Sequence, residues 1–207
     1  MNKKALILDL DNTIYSVRSI GDELFASLFK LIESSYEHSS SIQSIKVEIM
    51  RKPFQAVASQ FNFSERLRQQ GIDLLQELTY EGQLEPFPDY YIMKGWEVEK
   101  FLVTTGFLKL QQSKISGMKL EADFKEIHIV DPITSDKTKK EVFADIMERN
   151  GYAISDVLVV GDDLESEIKA AQNLGIEVVL YDKFNLYSDT TLIPRISDFG
   201  DLKRYVV

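Results

Sequence analysis

Leu6-Ile7-Leu8-Asp9-Leu10-Asp11-Asn12-Thr13 decides how the chain is read: an apolar run ends in two aspartates one residue apart, followed by asparagine and threonine. Apolarity that is continuous rather than alternating predicts a strand buried on both faces, as in a parallel sheet. In open α/β sheets, ligands bind beyond the carboxyl ends of the strands, where these two carboxylates fall. Two acids at such a place divide naturally: one stays ionised to attack or to hold a metal, and the other exchanges a proton. A solvated turn would use the same residue types, so the remainder of the chain has to decide.

Outward from this stretch, short apolar runs recur at residues 101–103, 127–130, 157–160 and 178–180. Helical patterns separate the later ones. Val142, Phe143, Ile146 and Met147 share one face ahead of Asn150-Gly151, and Leu164, Ile168, Ala171 and Leu174 share another ahead of Gly175. Alternating strands and helices predict a doubly wound, Rossmann-like parallel α/β sheet. The rhythm breaks between residues 19 and 81, where every pattern is helical: Leu24, Leu28 and Leu31, then Ile42, Ile45 and Ile49, then Leu67, Leu74, Leu75 and Leu78. The chain therefore divides into an α/β core, residues 1–18 and 82–207, and an all-helical insertion after the first strand, residues 19–81. Glu85-Pro86-Phe87-Pro88-Asp89 has the extended character of a return linker, because proline biases its own and the preceding residue away from helix.

Composition narrows the function. With 44% hydrophobic and 28% charged residues, the 207-residue chain has the make-up of a soluble globular protein. No apolar run approaches the about 18 residues of a membrane span. The run after Lys3-Lys4 is too short for an export signal. The absence of cysteine excludes disulfides and thiolate metal sites. A cytoplasmic location without a membrane partner is expected. A net charge of -9 argues against a nucleic-acid polymer as partner, since that needs a basic footprint. An acidic chain can still act on anions if a cation sits in its site.

Further polar groups close the later strands. Leu102-Val103-Thr104-Thr105-Gly106 offers hydroxyls and a glycine, suited to bind phosphate oxygen. Lys137 opens the helical segment after the third strand, with Lys139 and Lys140 beside it. Gly161-Asp162-Asp163-Leu164-Glu165-Ser166-Glu167 ends the fourth strand in carboxylates, a natural place for a hard cation such as magnesium.

In this order the set resembles the haloacid dehalogenase (HAD) superfamily. Asp9, Asp11 and Thr13 match its first motif, Thr104 its second, Lys137 its third, and Gly161 with Asp162 its fourth. The first and fourth motifs are specific, and the other two persuade in their company. The resemblance implies a phosphatase in which Asp9 attacks phosphorus and becomes an aspartyl-phosphate. Asp11 then serves as the acid and base. Mg2+ would be held by Asp9, the carbonyl of Asp11, and Asp162. Thr104, Thr105 and Lys137 would bind the phosphoryl oxygens, with Thr13, Asp163 and Glu167 behind them. The helical insertion becomes a small C1-type cap, and the partner a small phosphorylated metabolite, in a monomer or homodimer.

Two positions depart from the pattern. Glu167 stands where the family often has aspartate, and Thr138 rather than proline follows Lys137, which leaves Lys139 and Lys140 as alternatives. The charge balance also calls for a metal. Asp9, Asp11, Asp162 and Asp163 face one lysine, and each like-charge pair costs roughly 4 kcal/mol at about 4 Å and an effective dielectric of about 20. Other chemistries stay in view: a sugar phosphomutase with the same site, a haloacid dehalogenase, which usually lacks the second aspartate, and a non-catalytic phospho-binding protein. Asp9-Leu10-Asp11-Asn12-Thr13-Ile14-Tyr15 resembles the opening of nucleotidase-type members, a lean towards pyrimidine nucleotides. His38 and His128 are expected to be structural, and Phe87, Tyr90, Tyr91 and Trp96 to pack.

Overall fold

The computed structural model describes residues 2–187 and 192–206. Its sheet contains β1 (Ala5–Leu8), β2 (Glu99–Thr105), β3 (Glu126–Val130), β4 (Val157–Gly161), β5 (Glu177–Tyr181) and β6 (Arg195–Ile196), in the order β3-β2-β1-β4-β5-β6. Every pairing is parallel. All four residues of β1 are buried, as a central parallel strand requires. Leu8 lies opposite Leu102 on one side and Val160 on the other. The residues just beyond these three strands therefore emerge at one edge, where the strand order reverses and a crevice opens. β6 carries no periodic signal because it is two residues long. The chain recruits it through bonds from Leu180 N–H to the Pro194 carbonyl, 2.8 Å, and from Asp182 N–H to the Ile196 carbonyl, 2.7 Å.

Between β1 and β2 lie α1 (Gly21–Leu24), α2 (Ala26–Ser35), α3 (Ile42–Ile49), α4 (Phe54–Gln60), α5 (Glu65–Glu77) and α6 (Tyr90–Lys94). After β2 come α7 (Leu108–Gly117), α8 (Lys139–Asn150), α9 (Lys169–Gln172) and α10 (Lys203–Val206). Pro53 precedes α4, and Ser64 caps α5 by accepting the Leu67 N–H at 3.2 Å.

The alternation of β1 divides the core. Ala5 and Ile7 join Phe101, Val159 and the α8 residues Val142, Phe143 and Ile146 on one face. Leu6 and Leu8 join an apolar cluster that also contains Leu28, Ile32, Ile45, Val57, Leu67 and Leu75 of the inserted helices. The return linker is tied down where its prolines leave the chain extended. Phe87 N–H donates to the Ile14 carbonyl at 2.7 Å, and Phe87 packs near Tyr181, which stacks on Phe199. Tyr90 and Phe87 pack as expected, whereas Tyr91 is exposed.

One helix differs from its sequence pattern. In place of a continuous helix from residue 164 to 174, a π-helical turn (Leu164–Ile168) precedes α9, and Ser166 leaves helical geometry with φ -104° and ψ -106°. Single π-turns concentrate at functional positions, and this one turns Glu167 inward. Among the described residues no helix is long and apolar enough to cross a membrane.

Candidate active site

The site begins where β1 stops. Asp9 N–H still bonds to the Val160 carbonyl at 3.1 Å, and then the chain turns at Asn12, whose φ of +58° suits asparagine better than most residues. The Asn12 side chain fixes the turn at both ends. It accepts the Val17 N–H at 3.1 Å and donates to the Met50 carbonyl, 3.1 Å away between α3 and α4.

Buried Asp9 accepts a bond of 2.6 Å from Lys139, whose ammonium also reaches Glu167 at 2.8 Å. This corrects the expectation that Lys137 serves the site. Thr138 caps α8 and Glu141 completes its capping box, so the helix starts at Lys139, which points from the first turn towards the strand ends. Lys137 lies before the cap, half exposed, and pairs with Asp145. Glu167 is 1% exposed and also accepts the Asp163 N–H at 2.7 Å. It fits because residue 161 is glycine: a Cβ there would stand 2.2 Å from the Glu167 carboxylate.

Asp11 is held apart from that cluster. Lys114 reaches its two oxygens at 2.6 and 2.8 Å, Gln111 donates at 3.0 Å, and the Tyr15 hydroxyl donates as well. Gln111 also donates to Thr104 Oγ1 at 2.6 Å, which joins the second motif to the first. None of Tyr15, Gln111 and Lys114 was singled out from sequence for the site. Gln111 and Lys114 stand three apart on α7 and so share a face. Both are buried, yet their residue types read as a solvated helix surface.

Oxygens of Asp9, Asp162 and Glu167 lie within 4.8 Å of one another, a grouping able to hold a metal ion. Asp11 contributes no side chain to it. Thr13 Oγ1 makes a long contact of 3.5 Å with Asp162, and Asp163 accepts the Glu165 N–H at 2.8 Å. Electrostatics match this crowding. Burial pushes the Asp9 carboxyl up to about 7, against the pull of Lys139, with Glu167 adding to the rise. Burial and then Glu167, Asp9 and Asp163 push Asp162 well above the usual carboxylate range. Asp163 is raised by burial and Glu167. Burial depresses the Lys139 ammonium, but Asp9 and Glu167 more than reverse that. Asp11 goes the other way: burial raises its carboxyl, and Lys114, Tyr15 and Gln111 together bring it below the ordinary value. One lysine leaves the acidic side undercompensated, so the donor set fits a divalent cation that binds carboxylate oxygen.

All of these groups except Thr13, Tyr15 and Glu165 line one cavity of about 120 Å³. Asp9, Asp11, Thr104, Thr105, Lys139 and Asp162 belong to the sheet side. The inserted helices and the segment joining α3 to α4 supply apolar walls, together with Arg51 and Gln55. His38 stacks on Phe63 and His128 bonds to Glu126 at 2.8 Å, both outside the cavity lining.

A model of haloacid dehalogenase-like hydrolases matches residues 6–181. Over 197 residues, the chain is 25% identical to the glyceraldehyde 3-phosphate phosphatase of Methanopyrus kandleri, covering 85% of this chain and 82% of that protein. A Lactobacillus plantarum structure assigned as a phosphoglycolate phosphatase superposes with a TM-score of 0.75 at 13% identity, over 99% of this chain and 100% of that one. A magnesium-bound HAD hydrolase from Bacillus subtilis gives a TM-score of 0.61 at 16% identity, over 100% and 99% of the two chains. At these identities the two structures speak for the fold.

Proposed function

The chain belongs to the haloacid dehalogenase-like hydrolase family, and from that premise we propose that it is a magnesium-dependent phosphatase. Its substrate is a small phosphomonoester, and Asp9 carries the phosphoryl group transiently. The observation behind this reading is the held second carboxylate. Asp11 lines the same cavity as Asp9 and is fixed by Tyr15, Gln111 and Lys114. Displacing a halide needs no proton carrier, whereas expelling an alkoxide does.

In this mechanism an Asp9 oxygen attacks phosphorus in line, forming the O–P bond of the acyl phosphate while the ester O–P bond breaks. Lys139 and the Thr104 and Thr105 hydroxyls compensate charge on the phosphoryl oxygens. The leaving oxygen takes its proton from Asp11. Water then attacks the phosphorus and gives a proton back to Asp11, releasing phosphate and restoring Asp9. The Lys114 clamp favours the ionised form of Asp11, the form this second step needs. The first step needs the protonated form, so the clamp sets a balance between them. Asp9, Asp162 and the Asp11 carbonyl would hold magnesium, with Thr13, Asp163 and Glu167 behind them, and the ion would supply charge neutralisation and polarise the phosphoryl group.

The insertion, residues 19–81, acts as a cap over this chemistry, in keeping with the walls that Ile49, Phe54 and Leu75 give the cavity. The Methanopyrus kandleri relative supports a three-carbon sugar phosphate as the class of substrate. The test is release of phosphate from a panel of phosphorylated metabolites with magnesium, comparing the parent with Asp9→Asn. The parent should turn over and should take beryllofluoride on Asp9 as an acyl-phosphate mimic. Turnover by Asp9→Asn within about tenfold of the parent would overturn the mechanism.

A further inference from the structure

The cap side of the cavity holds a buried amide without an evident task. Gln55 stands at the start of α4, and both polar atoms of its amide are buried without a hydrogen-bond partner among the described residues. Its neighbours in the cavity wall include Phe25, Ile49, Phe54 and Leu75, among which a leucine would sit at no cost in unmade bonds. Buried amides are almost always paired, so an unpaired one in a cavity wall points to something that enters the cavity. Lys52, also on the cap side of the lining, is engaged elsewhere. Lys52 pairs with Glu48 at 2.6 Å and bonds to Gln60 at 3.2 Å.

We propose that Gln55 determines specificity by binding a hydroxyl or carbonyl on the leaving group of a two- to four-carbon phosphomonoester. The inference rests on the phosphatase reading and adds the group of the substrate that the cap recognises. A neutral amide offers donors and an acceptor together. A hydroxyl satisfies both kinds at once, whereas a carbonyl or a carboxylate engages only the donors. The two- to four-carbon range brackets the three-carbon glyceraldehyde 3-phosphate for which the Methanopyrus kandleri relative is named.

The experiment compares glycerol 3-phosphate with n-propyl phosphate, which has the same carbon chain without hydroxyls, using magnesium-loaded parent, Gln55→Leu and Gln55→Met. The parent should prefer the glycerol ester by at least about tenfold in kcat/KM, because a site built to bond a hydroxyl rejects the analogue that lacks it. Both variants should lose most of that preference through a higher KM for the glycerol ester. Their kcat on propyl phosphate should stay within about twofold of the parent. Using two apolar replacements guards against one that packs badly, and thermal melts confirm folding. A preference that survives in both variants, or an equal loss on both esters, would overturn the role of Gln55. So would a parent that hydrolyses both esters alike, or one that prefers a pyrimidine nucleotide, and in either case the phosphatase reading would stand. A parent that hydrolyses no phosphomonoester would remove that reading and this inference together.

Discussion

Lys139 serves two buried carboxylates at once, Asp9 at 2.6 Å and Glu167 at 2.8 Å. Lys139→Met would leave both without a counter-ion, at a cost of about 3 kcal/mol in stability and at least a hundredfold in kcat, on the order of what one such charge contributes. Lys137→Met touches only an exposed pair with Asp145 and should leave turnover within about twofold of the parent. Steady-state kinetics and urea unfolding of the two variants decide the matter, and equal losses would refute the assignment of Lys139. The sequence did carry the signal that separates them. Thr138 and Glu141 form the Thr-x-x-Glu box that marks a helix start, and a lysine just inside that box points differently from one before it. The clamp on Asp11 was less legible, since nothing in the types of Gln111 and Lys114 distinguishes a buried α7 face from a wet one. Asp11→Asn tests what the clamp serves. An aryl phosphate, whose leaving group needs little protonation, should keep more of its phosphorylation rate than an alkyl phosphate. Equal losses in single-turnover measurements would show that Asp11 is not the acid.

At the scale of elements, the acidic residue that ends the return linker holds three parts of the fold together. Buried Asp89 accepts from the Tyr181 hydroxyl of β5 at 2.7 Å, from Lys183 at 2.8 Å and from Phe199 N–H at 2.9 Å. Burial works against its ionised form, and those donors outweigh burial, so its carboxyl lies below the usual value. A carboxyl whose folded value is depressed stabilises the fold above its unfolded value of about 3.9 and ceases to do so as pH falls through the folded value. Asp89→Ala strands three donors and should cost about 2–3 kcal/mol near neutral pH. The gap from the parent should narrow below about pH 3.9. Urea titrations at several pH values measure it, and a gap independent of pH would show that packing rather than charge makes the link. None of this was visible in sequence. Two prolines mark the linker as extended, but its partners come from the far end of the chain.

For the whole molecule, legibility followed the length of the pattern. Four strands showed as apolar runs because a parallel sheet buries both faces, and β3, half-buried at the sheet edge, kept an apolar run as well, whereas β6, a two-residue strand held by its neighbour, has no pattern to show. The inserted helices were legible from their apolar faces. How they wall a cavity was not, since that depends on which residues the chain places between helices. Charge works on the same scale. A chain of net charge -9 gathers Asp9, Asp162, Asp163 and Glu167 around a single buried lysine, and burial raises Asp162 well above the carboxylate range. An acid raised on folding destabilises the fold near neutral pH, and lowering the pH relieves it. Without metal, Asp162→Asn should therefore melt no lower than the parent. Magnesium at about a hundred times its Kd should add about 2.7 kcal/mol to the parent, a rise of about 5–10 °C at this chain length. The variant should gain little, so the order of the two melting temperatures reverses between chelator and magnesium. Calorimetric scans in both conditions test this, and an unchanged parent Tm would remove magnesium from the site.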